Sequence, residues 1–204
     1  MITKNPKEFW NNISSGENWR DYVLPKRTDE EADAEGLKQS DIISPYLIKP
    51  GVCVDYGCGV GRVTKHFNKH TTRMIGLDIC DRFIKIAKER DKESEYYNIE
   101  DFKEKDVADF VFSLSVMQHN DEENQLKILQ NIYDILKPCG RTYITFASGD
   151  VYHESEFIHK FTIEEIKNLA SMFKEVKIEG GSLAVYYGKT VSNIPNELIL
   201  IATK

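Results

Sequence analysis

The chain is poor in the features that mark specialised proteins. No lysine/arginine block stands out, and 27 basic against 33 acidic residues leave a net charge of −6. That balance speaks against a nucleic-acid binder working by broad phosphate neutralisation, though it leaves room for a small patch. No apolar run approaches the length of a membrane span, and the opening residues Met1 to Pro6 contain no signal-peptide core. The expectation is a cytoplasmic protein without a membrane partner. Cysteine is scarce: Cys53, Cys58, Cys80 and Cys139 form no C-x-x-C pair, so reduced, mostly buried thiols are expected, and no metal site. Repeats and low-complexity tracts are missing. What remains is 204 residues, 41% hydrophobic and 29% charged, the profile of one soluble globular domain with a good core.

The most informative stretch is Val52-Cys53-Val54-Asp55-Tyr56-Gly57-Cys58-Gly59-Val60-Gly61-Arg62. A β-branched apolar run ends in an acid, glycines follow at every second position, and a helix-like segment begins at Val63. Strand, turn and helix in this order bring bare backbone to a ligand at a helix N-terminus. The dinucleotide fingerprint G-x-G-x-x-G fails here. Counted from Gly57 its last glycine falls on Arg62, and counted from Gly59 on Thr64. Asp55 also places a carboxylate where a pyrophosphate would be repelled and an ammonium group tolerated.

Asp-x-Gly-x-Gly-x-Gly after a strand resembles motif I of the class I S-adenosylmethionine (SAM) dependent methyltransferases. Further along, Arg73 to Ile79 is a short strand ending in Asp78, and Ser94 to Phe102 contains a strand ending near Asn98. Val107 to Ser115 has the continuous apolar character of a strand buried on both faces. Leu136-Lys137-Pro138-Cys139-Gly140 resembles the family's Leu-Lys-Pro-Gly-Gly turn before a fifth strand, Arg141 to Ala147. The resemblance implies an α/β three-layer sandwich with a mainly parallel seven-stranded sheet in the order 3-2-1-4-5-7-6, strand 7 antiparallel. It implies O- or N-methylation of a small-molecule acceptor, with SAM as cofactor and S-adenosyl-L-homocysteine as product.

Residue by residue, the resemblance directs Asp55 to the ammonium end of SAM and Gly57, Gly59 and Gly61 to backbone contacts. Cys58 is expected on the ligand side of the turn. Arg62 pairs with the methionine carboxylate or with Asp55. Asp78, with Ile79 beside it, offers two acceptors to the ribose diol. Asn98 and Ile99 meet the adenine, with Asp101 as a rival register, and Leu114 and Ser115 lie along the methionine part. On the acceptor side stand Gln118, His119, His153, Trp19 and Tyr22. His119 is a candidate general base, since neutral imidazole accepts a proton near pH 7. A helix-entry residue bonding backbone is the alternative reading, and His153 and His159 are fallback bases.

Residues 1–50 are expected to form an N-terminal helical cap, either packed on the sheet or acting as a lid, and residues 51–204 the SAM-binding domain. Within the cap, Gly36 is expected to open a helix with Leu37, Ile42, Ile43, Tyr46 and Leu47 as its inner positions. Asp81 and Thr162 are read as helix caps, the second in a capping box with Glu165. The other classes left open are a SAM-binding module without turnover, a protein or nucleic-acid methyltransferase, and an NAD-type Rossmann oxidoreductase.

Overall fold

The structure is a computed structural model, and it describes residues 5–16, 23, 28–148, 158–181 and 197–204. Among the described residues the sheet has seven strands, which, numbered along the chain, lie in the order 3-2-1-4-5-7-6 that the family resemblance implies. The chain divides into two compact units, Asn5–Glu104 and Lys105–Lys204.

In the first unit, helix α1 (Pro6–Ser15) starts with Asn5 accepting from Glu8 N at 3.2 Å and a proline in the first turn. Helix α2 (Asp29–Ile43) opens with a capping box: Thr28 accepts from Glu31 N, and the Glu31 carboxylate accepts from Thr28 N. This corrects the reading of Gly36 as a helix start. Gly36 sits mid-helix, and a Cβ there would run into the carbonyl oxygen of Arg62. The buried face of α2 is accordingly small and polar, comprising Ala32, Glu35, Gly36, Gln39 and Ser40 with Ile43, while Leu37 and Ile42 face solvent. Close approach of two backbones selected small residues there, which hydrophobic periodicity does not report.

Strand β1 (Val52–Tyr56) pairs in parallel with β2 (Arg73–Asp78), and β2 in parallel with β3 (Glu95–Asn98). Between them lie the short helix α3 (Thr64–Phe67) and helix α4 (Asp81–Arg90). Asp81 is the first residue of α4 rather than its cap; Cys80 occupies the cap position without a side-chain capping bond. Helix α1 is fastened to this unit by Trp10 against Phe83, by Arg82 donating to the carbonyl of Ser14, and by the Lys7–Glu100 ion pair. Trp10 also packs against a buried group made of Ala32, Val60, Cys80 and Phe83.

The second unit contains β4 (Ala108–Ser113), helix α5 (Glu122–Ile135), β5 (Leu136–Ala147), helix α6 (Ile163–Leu169), β6 (Lys174–Gly181) and β7 (Glu197–Thr203). β4 and β5 are parallel, and β7 runs antiparallel to both β5 and β6. Asp121 caps α5 by accepting from Asn124 N at 3.0 Å, and Thr162 caps α6 in the expected capping box. The Leu136–Gly140 tract differs from the predicted turn. It belongs to β5 as an irregularity in which pairing jumps from Ala108–Leu136 to Phe110–Arg141, with Cys139 at φ 64°. Phe110, Phe112, Leu129, Ile132 and Phe146 are fully buried in this unit, each worth roughly 1.5–3 kcal/mol of burial. Among the described residues no helix is long and apolar enough to cross a membrane.

Candidate functional site

The glycine turn is built by spending its own N–H groups. Gly57 N and Cys58 N both donate to the carbonyl of Leu77, at 2.7 and 2.9 Å, and Gly61 N donates to Cys58 O at 3.0 Å. Gly59 N donates to Asp78 Oδ2 at 2.8 Å. A pyrophosphate-binding turn keeps such donors for its ligand. Here they tie the turn to β2 and to an acid. The left-handed backbone at Gly57 (φ 84°), Gly59 (φ 55°) and Gly61 (φ 74°) explains why three glycines recur. They differ in surroundings: beside Gly59 a Cβ would meet nothing within 4 Å, whereas at Gly61 it would meet the hydroxyl of Tyr96. Among the described residues nothing crowds Gly59, whereas Gly61 is taken up by packing.

Two carboxylates stand over this turn. Asp55, 3% exposed, ends β1 and accepts from Thr64 Oγ1 at 2.6 Å. Burial pushes its pKa up to about 7; the Thr64 hydrogen bond and the Arg62 guanidinium pull it down, and the charge of Asp78 pushes it further up. Asp78, at the end of β2, is 8% exposed and accepts from Cys80 N and Gly59 N, each at 2.8 Å. Burial raises its pKa to about 6 against the lowering by backbone N–H groups of Cys80, Gly59 and Ile79. Two buried acids of raised pKa, side by side, form a site that gains from a cation and loses from an anion.

The remaining cofactor-side residues fall out unevenly. Cys58, expected on the ligand side, is buried with Ile84, Ala87 and Tyr96, and burial pushes its thiol pKa well above the usual value. The charge of Arg62 acts on Asp55 and lowers its pKa. Asn98 is 7% exposed and its amide is engaged within the fold. Nδ2 donates to Ile79 O at 3.1 Å and to Asp81 Oδ1 at 2.6 Å, and Oδ1 accepts from Glu100 N at 2.9 Å. Ile99 N donates to Asp78 O at 3.0 Å, next to the β2–β3 ladder. Asn98 thus shapes the loop after β3, and its carbonyl oxygen keeps one lone pair for a further donor.

In the second unit the backbone leaves β4 through a strained residue. Ser115 has φ 57°, uncommon for a non-glycine residue, and its N–H donates to Thr145 Oγ1 at 2.9 Å. Leu114 precedes it and is half-buried. A single 3₁₀ turn, Met117–His119, follows. Gln125 fixes this turn from α5, donating to Asn120 O at 2.7 Å and Met117 O at 3.4 Å, and Asn120 Nδ2 donates to Val116 O at 2.8 Å. Gln118 is 3% exposed, its carbonyl accepts from His159 N at 2.8 Å, and its Oε1 is buried with no hydrogen-bond partner among the described residues. His119 is half-buried, its N–H bonded to Val116 O at 3.2 Å. The His159 backbone meets this turn at Gln118, while its side chain is engaged, with Nε2 3.3 Å from Glu165 Oε1 and its ring against Phe161. Trp19, Tyr22 and His153 lie outside the described residues.

Several contributors escaped the sequence reading. Thr64 and Thr145 each present a hydroxyl to a site residue, and both look in sequence like ordinary helix and strand threonines. Thr64, three positions past the last glycine of the motif, carried the better signal.

Residues 54–144 match the family model described as a methyltransferase domain. Over those residues the chain is similar to that methyltransferase domain family. Solved structures of such methyltransferases share the fold at low identity. Phosphoethanolamine N-methyltransferase 1 of Haemonchus contortus, in complex with phosphoethanolamine and S-adenosylhomocysteine, is 17% identical with a TM-score of 0.72, over 97% of this chain and 47% of that one. The chain therefore spans about half the length of that methyltransferase. Magnesium protoporphyrin IX methyltransferase of Synechocystis PCC 6803, with bound SAM, is 13% identical with a TM-score of 0.68, over 99% of this chain and 98% of that one. The 1,6-didemethyltoxoflavin-N1-methyltransferase of Burkholderia thailandensis, with its acceptor and S-adenosylhomocysteine, is 20% identical with a TM-score of 0.66, over 98% and 90%. A search of curated protein sequences found no match.

Proposed function

We propose that the chain is a SAM-dependent methyltransferase acting on a small-molecule acceptor. The observation that carries this is the pair Asp55 and Asp78 over a turn whose N–H groups are already used. Such a site favours a ligand with an ammonium group and a ribose, and it disfavours the pyrophosphate of a dinucleotide. This argues against the oxidoreductase reading on geometry as well as on glycine spacing.

In this reading Asp55 faces the ammonium end and Gly59 offers an open backbone surface. Asp78 takes the ribose hydroxyls through lone pairs its backbone donors leave over, and the loop at Asn98 and Ile99 borders the adenine. Leu114 and the strained Ser115 serve the methionine part. When bound, the cofactor supplies an electrophilic methyl on a sulfonium, already a good leaving group. The protein's task is alignment and exclusion of water. Gln118 and His119 are assigned to the acceptor, Gln118 through its unpartnered oxygen and His119 as the base that an acceptor hydroxyl or ammonium requires. Helix α1, fastened beyond the ends of β2 and β3, is the cap over the cofactor side. The neighbouring folds by name act on phosphoethanolamine, magnesium protoporphyrin IX and didemethyltoxoflavin, and these support a small molecule as acceptor.

The test is isothermal titration with SAM and S-adenosylhomocysteine, followed by turnover across a panel of small amines and alcohols. Micromolar binding is expected, and Asp78→Ala should abolish it. Binding of NADH with none of SAM reverses the assignment.

A further inference from the structure

Tyr96 sits on β3, carries none of the expected chemistry, and has small residues arranged around its ring. It stands opposite Gly76 of β2 in the parallel register, and a Cβ on Gly76 would come within 2.6 Å of its ring carbons. At the other end of the ring, a Cβ on Gly61 would lie 2.7 Å from the tyrosine hydroxyl. Ala87 and Cys58 pack in the same buried group, and Tyr96 is 2% exposed. The hydroxyl donates to Asp91 Oδ2 at 2.9 Å, and Asp91 is itself fixed by Glu93 N, which donates to its Oδ1 at 2.9 Å. Burying an aromatic ring needs neither glycine. Both are needed for this ring to reach from β3, past β2, to the underside of the glycine turn.

We propose that Tyr96 is a positioning residue for cofactor binding: anchored by Asp91, it sets the height of the glycine turn and so holds Gly59 against Asp78. The turn is tied to β2 through Leu77 O and to Asp78 through Gly59 N, but these bonds lie on one side. At Gly61 the opposite end rests on the Tyr96 hydroxyl. Asp78 both receives the turn and is assigned to the ribose, so a small shift of the turn moves the donor and acceptor geometry together. Displacements of this size are costly where several contacts must be met at once.

This inference rests on the reading of the turn as a SAM site, and the experiment separates the two. SAM is titrated into the wild-type chain, Tyr96→Phe and Tyr97→Phe, well below the melting temperature of each. Tyr97→Phe is the matched control, because its hydroxyl also donates to a carboxylate, Glu95 Oε2 at 2.8 Å, but on the exposed side of the same strand. Tyr96→Phe is expected to raise the SAM dissociation constant about tenfold, and Tyr97→Phe to leave it within about twofold. If Tyr96→Phe lowers the melting temperature and leaves SAM affinity within about twofold, the tyrosine only fills space and the inference is overturned. Equal weakening by both variants overturns it too. Absence of SAM binding by the wild-type chain brings down the assignment of the site itself.

Discussion

Asp55 is held in the fold at a cost, and this can be measured without knowing the acceptor. Its folded pKa is about 7 against an ordinary 3.8. Between those values the folded chain binds a proton that the unfolded chain has lost. Stability from this group therefore falls as pH rises through that window, and the loss is complete above the folded value. At about 1.4 kcal/mol per pH unit, the loss is on the order of 4 kcal/mol. Asp78 adds a loss of the same sign, with its folded pKa near 6. Asp55→Asn removes the ionisation while its amide oxygen still accepts from Thr64. The variant should melt higher than the wild type at pH 8.5, by roughly 8–16 °C at about 2–4 °C per kcal/mol for a chain of this size. That advantage should shrink steadily as pH is lowered from 7 towards 4. In the same samples SAM affinity should fall by about tenfold or more, because the charge proposed to face the ammonium is gone. Thermal melts across pH, with and without SAM, read both effects. A variant no more stable than wild type at pH 8.5 refutes the argument, since Asp55 would then be satisfied by the fold rather than reserved for a ligand.

Gly36→Ala places a methyl group against the Arg62 carbonyl and should cost about 1–3 kcal/mol as overpacking, read as a lower denaturation midpoint. His119→Ala should leave SAM affinity nearly unchanged and lower kcat by about 10²-fold or more on an acceptor that must lose a proton. A kcat within a few fold of wild type, together with a lower melting temperature, makes His119 a structural residue.

The element order, the parallel strands, the acid at the end of β1, the acid at the end of β2 and the glycine turn were all legible in the sequence. Each rests on local rules: β-branched runs, capping residues such as Thr162 with Glu165, and the left-handed backbone that glycine permits. What one stretch of chain does to another was not legible. Cys58 belongs by sequence to the ligand turn, yet three-dimensional packing turns it inward onto Tyr96. Asn98 reads as a ligand contact and is engaged by Ile79, Asp81 and Glu100. Gly36 reads as a helix start and proves to be the point where α2 and the Arg62 backbone nearly touch. Leu136 to Gly140 reads as a turn and is drawn into β5 by pairing with β4. Local sequence determines which conformations a segment favours, because steric and hydrogen-bonding preferences act over a few residues. Whether a side chain faces ligand, solvent or core depends on distant residues that compete for the same donors and the same space, and only the folded chain decides that.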